Sequence, residues 1–308
     1  MGFPASIQTA KKGLLLVGHG TQNSNGLAEF WAVARQVAEL AGEFLVESCF
    51  LELAEPSIPE ALERLLRQGV ERLTVVPLLL FAAGHAKHDI PAAVQEGLCG
   101  QWSDFGELSR AVVCGQKGKV AKQKAEGRGQ KAEDGSREEL QVEFLGALEC
   151  HERIVQLSAQ RFAEALHDRP HVPAAETLHL LVGRGSSHAD AIAAMQRFAA
   201  LRAQETAVDR VEVCFAAVAT PTLKEALKRA ALSEYRRIVV QPHLLFTGEV
   251  LRQIGEAVSQ WSVVGDWKEE GRKQKAEEEG MEKEWIIASH LGPSPLVAQA
   301  VVEMARSA

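Results

Sequence analysis

The chain has 308 residues, of which 46% are hydrophobic and 24% charged, and its formal net charge is −7. This length suits two domains that each bury a core, and the composition is that of a soluble globular protein. The negative charge disfavours a nucleic-acid partner, because phosphate binding requires a basic surface. The apolar runs fall short of the roughly 18–20 residues of a membrane helix, and no secretory signal is visible. The five cysteines show no CxxC pair. We therefore expect a reduced, cytoplasmic protein without membrane partners.

Apolar runs typical of strands alternate with helical patterns along the first half. Residues 14–17 form a continuous apolar run, and a helix follows in which apolar residues recur at helical spacing up to Leu40. A strand over 44–51, a helix over 59–66 and a strand over 73–80 come next. The last run of this half predicts a strand over 142–145 and a helix over 153–166. Strands that are apolar on both faces and joined by helices indicate a parallel sheet with helices on each side.

The second half repeats the first. LLLVGHGTQ (14–22) corresponds to LLVGRGSS (180–187), CFLELAEPSIPEAL (49–62) to CFAAVATPTLKEAL (214–227), and RLTVVPLLLF (72–81) to RIVVQPHLLF (237–246). His19 and Arg184, Cys49 and Cys214, Pro56 and Pro221, and Pro77 and Pro242 are each separated by 165 positions. A constant separation over distant blocks indicates an internal duplication. The second copy ends with a predicted strand over 285–288 and a helix over 295–305.

Two prolines in the segment 168–175 predict the domain boundary, which divides the chain into 1–170 and 171–308. Two further segments, 115–139 and 268–284, are rich in Lys, Glu, Gln and Gly and contain almost no apolar residues. They occupy corresponding places before the last strand of each half. Such a composition is typical of solvated inserted loops, although a docking role is also open.

Two histidines are expected at the ligand-binding edge of the first sheet. In an open parallel sheet this edge lies at the carboxyl ends of the strands. His19 follows the first strand between two glycines, and His85 follows the third strand after another glycine. Two imidazoles there can share one divalent metal, although a lone loop histidine can equally be structural. In the second half Arg184 replaces His19, and Val250 or Glu249 replaces His85, depending on how the glycines are aligned.

Other polar residues are candidates for a proton relay or a substrate contact. Glu52 lies near the end of the second strand between Leu51 and Leu53, both expected to be buried, and a carboxylate there can accept a proton. His88 precedes a helix that Asp89 can cap, which favours a solvated histidine but leaves a relay role open. Candidates from the second half are Arg184 and Glu249. Both can face an anionic ligand or the path by which the metal enters, or they can pair with each other, and Glu249 can also complete a proton path. His243 is expected to be a packed strand histidine.

Motifs of other enzyme classes do not occur in the sequence. It contains no GxxxxGK[ST] phosphate loop, no HExxH and no GxSxG, and the GxG in GRGSSHAD lacks the third glycine of a dinucleotide fingerprint. A histidine phosphatase would need an arginine directly before the histidine, and Gly18 stands there. A site with two histidines and no close third ligand is coordinatively open, so it can release its metal.

VGHGT, FLELAEPSIPEAL and VVPLLLFAAGHAKHDIPAA together resemble the sirohydrochlorin chelatases, the class II chelatases of cobalamin and sirohaem synthesis. The duplicated length is similar to that of the long form of sirohydrochlorin cobaltochelatase. The resemblance implies an α/β fold of two tandem chelatase-like domains, each a flavodoxin- or Rossmann-like parallel sheet with helices on both faces. It also implies that His19 and His85 bind the metal. The chain lacks the His-rich tail and the CxxC-type iron–sulfur motif of some long members, so no iron–sulfur cluster is expected.

The resemblance further implies insertion of Co²⁺ into sirohydrochlorin without a nucleotide. Fe²⁺ and Ni²⁺ are alternative metals, because two imidazoles do not discriminate among them. A carrier that binds metal or tetrapyrrole without turnover is the alternative outside catalysis. Two fused halves can supply the cleft that a single-domain ancestor would build as a symmetric dimer, so we expect a working monomer.

Overall fold

The structure is a computed structural model that describes residues 10–82, 88–101, 112–115, 140–206, 208–263 and 283–308. The inserted segments over 116–139 and 268–282 lie outside this part of the chain. The elements of the first half are β1 (Lys12–Gly18), α1 (Ser24–Leu40), β2 (Leu45–Phe50), α2 (Ile58–Arg67), β3 (Arg72–Pro77), α3 (Ile90–Gln101), β4 (Val112–Gly115), β5 (Leu140–Phe144) and α4 (Glu152–Leu166).

The second half repeats this order in the described residues. Its elements are β6 (Thr177–Gly183), α5 (Ala189–Glu205), β7 (Arg210–Phe215), α6 (Leu223–Ala231), β8 (Arg237–Pro242), α7 (Glu249–Val263), β9 (Glu284–Ile287) and α8 (Pro295–Arg306). All strand pairs are parallel, in the orders β2-β1-β3-β5-β4 and β7-β6-β8-β9. The predicted α/β fold with two duplicated parallel sheets is confirmed.

Corresponding helices start in the same way in the two halves. The side chain of Glu60 accepts a hydrogen bond from the Ser57 amide at the start of α2, and Glu225 does the same for Thr222 at the start of α6. Such capping boxes satisfy amides that a helix leaves without partners. The buried residues of each helix lie one turn apart and pack on the sheet, as Leu62 and Leu65 do in α2.

The backbone conformation is duplicated as closely as the sequence. Gly20 and Gly185 have φ values of 98° and 95°, and Leu53 and Val218 both have a φ of 63°. Each pair is separated by the 165 positions of the sequence repeat. The duplication therefore extends to turns that only a few residue types adopt readily.

The last helix of each half packs against the other half. Phe162 of α4 contacts the ring of His179 on β6, with ring centroids 4.7 Å apart. In return α8 packs along α1, and Arg306 at its end donates to the carbonyl of Leu40 at 3.0 Å and pairs with Glu43. One hydrophobic core, which contains residues of both halves, runs through this junction. The two halves are thus interlocked, and α4 covers the second sheet although it precedes the predicted boundary at residue 170.

The carboxyl ends of the two sheets face each other. Glu29 on α1 accepts hydrogen bonds from the amide and the hydroxyl of Thr247, in the loop after β8, at 2.6 and 2.8 Å. His290, after β9, lies 3.4 Å from the same carboxylate. Phe81, after β3, and His243, after β8, have ring centroids 5.3 Å apart. The junction therefore brings the ligand-binding edges of both sheets together. Among the described helices, none combines the length and the apolar composition needed to cross a membrane.

Candidate metal and substrate site

His19 lies directly after β1, at the predicted edge of the first sheet. Its side chain is 23% exposed, and its Nδ1 is 3.4 Å from the carbonyl oxygen of Gly20. A Cβ atom at Gly20 would lie 1.7 Å from the carbonyl oxygen of Glu52. Glycine is required there both by its φ of 98° and by this close approach of two loops. The backbone thus brings the loop after β1 against the loop after β2.

Glu52 is an acidic partner of His19. Its Oε1 lies 3.4 Å from His19 Nε2, and its amide donates to the His19 carbonyl at 3.0 Å. The expectation that Glu52 alternates with two buried leucines is wrong, and Leu51 itself is only half-buried. Glu52 lies beyond β2, and Leu53 is 56% exposed with a φ of 63°. The contact between the loops after β1 and β2, and not the pleat of β2, therefore orients the Glu52 carboxylate. As a result, the imidazole of His19 and the carboxylate of Glu52 lie side by side.

The second predicted histidine, His85, falls within residues 83–87, outside the described residues. The structure describes the chain up to residue 82 on one side and from His88 on the other. His88 is exposed and precedes α3, as expected for a solvated histidine at the start of a helix. Within the described residues no three His, Cys, Asp or Glu side chains gather as a metal site. The metal role of His19 and His85 therefore stays a prediction.

The second half carries different side chains at the same places. The amide of Ala217 donates to the carbonyl of Arg184 at 3.0 Å, which repeats the backbone bond between Glu52 and His19. Arg184 is exposed, and its guanidinium has no ion-pair or hydrogen-bond partner within the described ranges. The open expectation that Glu249 pairs with Arg184 is wrong, because Glu249 accepts from Arg252 Nε at 2.9 Å. This bond and one from Gln253 lower the pKa of the exposed Glu249 carboxyl to about 2.

Two further histidines are interior residues. His243 packs against Phe198 at a centroid distance of 4.1 Å and against Phe81, as expected for a packed histidine, although it lies one residue beyond β8. Burial, reinforced by the charge of Arg202, lowers the pKa of both His243 and His179 to about 3. Sequence reasoning missed the burial of His179, although its position inside the apolar run after Thr177 was a usable signal. Neutral buried rings of this kind contribute to the packing of the core.

A cavity of about 610 Å³ lies elsewhere, at the junction of α4 and α8. Its lining includes Glu143, His151 and Glu303 but neither His19 nor Glu52. Although it adjoins the carboxyl end of β5, it contains neither His19 nor Glu52, so it adds no residue to the site.

A comparison with protein families identifies the family of this chain. The family model CbiX matches residues 13–165 and 178–308. The chain belongs to the CbiX family. A sirohydrochlorin ferrochelatase of Priestia megaterium is 31% identical over 249 residues, covering 81% of this chain and 79% of that relative. A sirohydrochlorin cobaltochelatase of the same organism is 25% identical over 253 residues, covering 82% of this chain and 70% of that relative.

Solved CbiX-type structures agree with the fold. The structure "SirB from Bacillus subtilis with Fe3+" superposes with a TM-score of 0.71 at 23% identity, covering 96% of this chain and 95% of that one. At this identity the likeness concerns the fold alone. The family match and the two named relatives confirm the resemblance to the class II chelatases and the expectation of an enzyme.

Proposed function

We propose that this CbiX-family chain inserts a divalent metal, with Co²⁺ as the first choice, into sirohydrochlorin without a nucleotide. The observation that carries the proposal is the His19–Glu52 pair, with Nε2 and Oε1 3.4 Å apart, at the carboxyl edge of the first sheet. This edge faces the second half, so a planar substrate can enter between the two. The names of the two Priestia megaterium relatives support sirohydrochlorin as the tetrapyrrole.

The chemistry requires a weakly held metal and two proton acceptors. Each insertion replaces two pyrrole N–H protons by one M²⁺ ion, so two protons must leave the macrocycle. In this proposal His19 and His85 hold the incoming metal through neutral imidazole nitrogens. Glu52 then accepts a departing proton, because its carboxylate lies beside His19 and is 52% exposed, open to the solvent that must finally take the proton. His88 and Glu249, both exposed, are the further relay candidates, and Glu249 is the weaker of the two because its bonds to Arg252 and Gln253 lower its proton affinity.

In this proposal the second half contributes a positive charge that binds the substrate. Sirohydrochlorin carries many carboxylates, whereas the chain has a net charge of −7, so general attraction is absent and local cations must bind the substrate. Arg184 lies at the place that corresponds to His19, and its exposed guanidinium has no partner within the described ranges. A guanidinium that forms no internal ion pair is available for a bidentate bond to a substrate carboxylate.

The choice of metal is the finer part of the proposal. The two relatives cited above are named for iron and for cobalt, respectively. Two imidazole donors accept Co²⁺, Fe²⁺ and Ni²⁺ alike, and cellular supply decides among them. We put Co²⁺ first and keep sirohydrochlorin ferrochelatase as the alternative. Function as a monomer in the cytoplasm is part of the same proposal.

The test is anaerobic absorbance of sirohydrochlorin with Co²⁺, Fe²⁺ or Ni²⁺, with uncatalysed insertion subtracted. We expect many turnovers with wild type and none above background with the His19→Ala/His85→Ala double variant. The matched control is His167→Ala/His171→Ala, which removes two exposed histidines next to the predicted boundary and should leave the rate unchanged. One metallated product per chain would instead identify a carrier, and equal rates for both double variants would refute the site.

A further inference from the structure

Leu53 and Val218 are exposed apolar residues in an unusual backbone conformation. Their exposed fractions are 56% and 77%, and both have a φ of 63°. A positive φ is rare for residues other than glycine, and for a bulky or β-branched residue it is an outlier that costs free energy. Neither burial nor backbone preference therefore explains why these two positions are apolar.

Both residues are held firmly in their loops. Val218 lies at the centre of a three-residue turn that is closed by a 2.6 Å bond from the Ala219 amide to the Ala217 carbonyl. Ala219 is 6% exposed and packs in the core shared by the two halves. Leu53 follows Glu52, whose amide is bonded to the His19 carbonyl. The exposed side chains are thus presented by anchored turns.

Other exposed leucines differ in this respect. Leu40 is the last residue of α1, and Leu232, which is 61% exposed, ends α6 with a φ of −90°. Single exposed apolar residues in ordinary conformations need no functional explanation. An exposed apolar residue in a strained turn, repeated at the same place in both halves, does require one.

Their location gives the explanation. Leu53 is adjacent to the His19–Glu52 pair, and Val218 is adjacent to Ala217, which is bonded to Arg184. The polar residues of this edge differ between the halves, while the apolar residue is kept. A tetrapyrrole is flat, with two apolar faces and carboxylates around its rim. We propose that Leu53 and Val218 are the two apolar contacts on which the macrocycle packs, one from each half. This inference rests on the proposed function.

Such contacts position the macrocycle without touching the metal or the protons. Their loss should weaken tetrapyrrole binding and raise the KM for sirohydrochlorin, with little change in kcat or in the affinity for Co²⁺ alone. Asparagine is the informative replacement, because it tolerates a positive φ better than most residues and removes the apolar surface. The conservative replacements are Leu53→Met and Val218→Leu, the latter being the residue of the first copy.

The experiment titrates metal-free sirohydrochlorin into each full-length variant and measures its steady-state kinetics and its unfolding in urea. We expect Leu53→Asn and Val218→Asn each to raise the Kd for sirohydrochlorin about fivefold to tenfold, from the loss of part of one buried aliphatic contact. The two conservative variants should bind as wild type does. Leu232→Asn, the control of similar exposure on α6, should have no effect on binding.

The outcomes separate this inference from the function on which it rests. If wild type inserts metal and both asparagine variants bind sirohydrochlorin as tightly as wild type, the apolar contacts are refuted and the chelatase proposal stands. A loss of binding that Leu232→Asn shares would also refute them, because it would not be specific to the site. If wild type itself neither binds nor metallates sirohydrochlorin, the proposed function fails first.

Discussion

The two halves of this chain have the same backbone and opposite side-chain chemistry. At the carboxyl edge the first half presents a paired imidazole and carboxylate, His19 and Glu52, while the second presents Arg184 and Ala217. The glycines that shape both loops, Gly20 and Gly185, have nearly identical φ values. The loop geometry was therefore preserved after the duplication, while the groups that it carries diverged.

The interiors of the two halves also differ, and here the second half is the more polar. The inner face of the second sheet and the helices over it carry buried polar side chains where the first half is apolar. Arg202 is fully buried and donates to Ser158 Oγ at 2.9 Å, and Gln241 donates to the Ser158 carbonyl at the same distance. The corresponding pairs, first half then second, are Leu14 and His179, Val37 and Arg202, Val76 and Gln241, and Leu78 and His243.

This contrast shows that the two copies of a duplicated fold can take on different roles. Buried polar groups cost free energy unless they are hydrogen-bonded, and neither ring nitrogen of His243 has a hydrogen-bond partner within the described residues. The second half therefore retains its buried polar groups at a cost in stability. The first half has an apolar interior and carries its imidazole at the edge. We infer that the first half is specialised for metal chemistry and the second for holding the junction and the substrate.

The largest expected effect tests the contrast at the edge. His19→Ala should lower kcat/KM for metal insertion about a thousandfold, within the range found for acid–base and metal-binding groups. Arg184→Ala at the mirrored position should raise the KM for sirohydrochlorin about fivefold and leave kcat unchanged, because it removes one carboxylate contact. Steady-state kinetics with each metal decide this. Equal losses in the two variants would show that the halves share the chemistry.

The shared backbone can be tested at the paired glycines. Gly20→Ala and Gly185→Ala should each lower the free energy of unfolding by on the order of 3 kcal/mol, because a Cβ atom would lie 1.7 Å from the facing carbonyl oxygen in either half. Urea unfolding measures this cost. Gly42→Ala, where nothing lies within 4 Å of the added atom, is the control and should change stability little. A loss confined to one of the two loops would contradict their equivalence.

Glu52 is the next test, since its counterpart Ala217 has no acidic group. Glu52→Gln keeps the side-chain size and removes the proton acceptor, so kcat should fall about tenfold to a hundredfold. Glu55→Gln, an exposed change in the same loop, is the matched control. The measurement is kcat as a function of pH. If Glu52→Gln retained the wild-type rate at every pH, a role for this carboxylate in proton removal would be refuted.

The smallest effect concerns the polar interior of the second half. Burial first, and the charge of Arg202 second, lower the pKa of His179 and His243 to about 3. Between the ordinary value of about 6.5 and this one, the unfolded chain binds protons that the folded chain does not. Each histidine should therefore cost about 1.4 kcal/mol of stability per pH unit as the pH falls through this window, and nothing above it.

His243→Leu introduces the residue found at the corresponding position of the first half. It should remove the contribution of one histidine to the pH dependence of the free energy of unfolding. Urea unfolding of wild type and variant at pH 7.5 and pH 5.5 measures the difference. At pH 7.5 the two should be of similar stability, because an uncharged ring is replaced by an apolar side chain of similar volume. An identical pH dependence in the two proteins would show that His243 is protonated in the folded state.

Local sequence patterns were sufficient for much of this architecture. Runs such as 14–17 and the helical spacing up to Leu40 predicted their elements, because the spacing of apolar residues reports which face of a strand or helix is buried. The predicted strands end close to their predicted last residues, except for β3, which ends at Pro77 and not near Leu80. The interpretation of Leu53 failed, since alternation stops where a loop begins.

The sequence by itself determined the duplication, the parallel sheets, the position of His19 at a strand end and the family. The tertiary structure alone decided that Glu52 meets His19, that Arg252 and not Arg184 pairs with Glu249, and that α4 and α8 exchange places between the halves. The physical reason is distance along the chain. Periodicity encodes which face of an element is buried, but the choice of a remote partner depends on how loops and interlocked helices bring separate segments together.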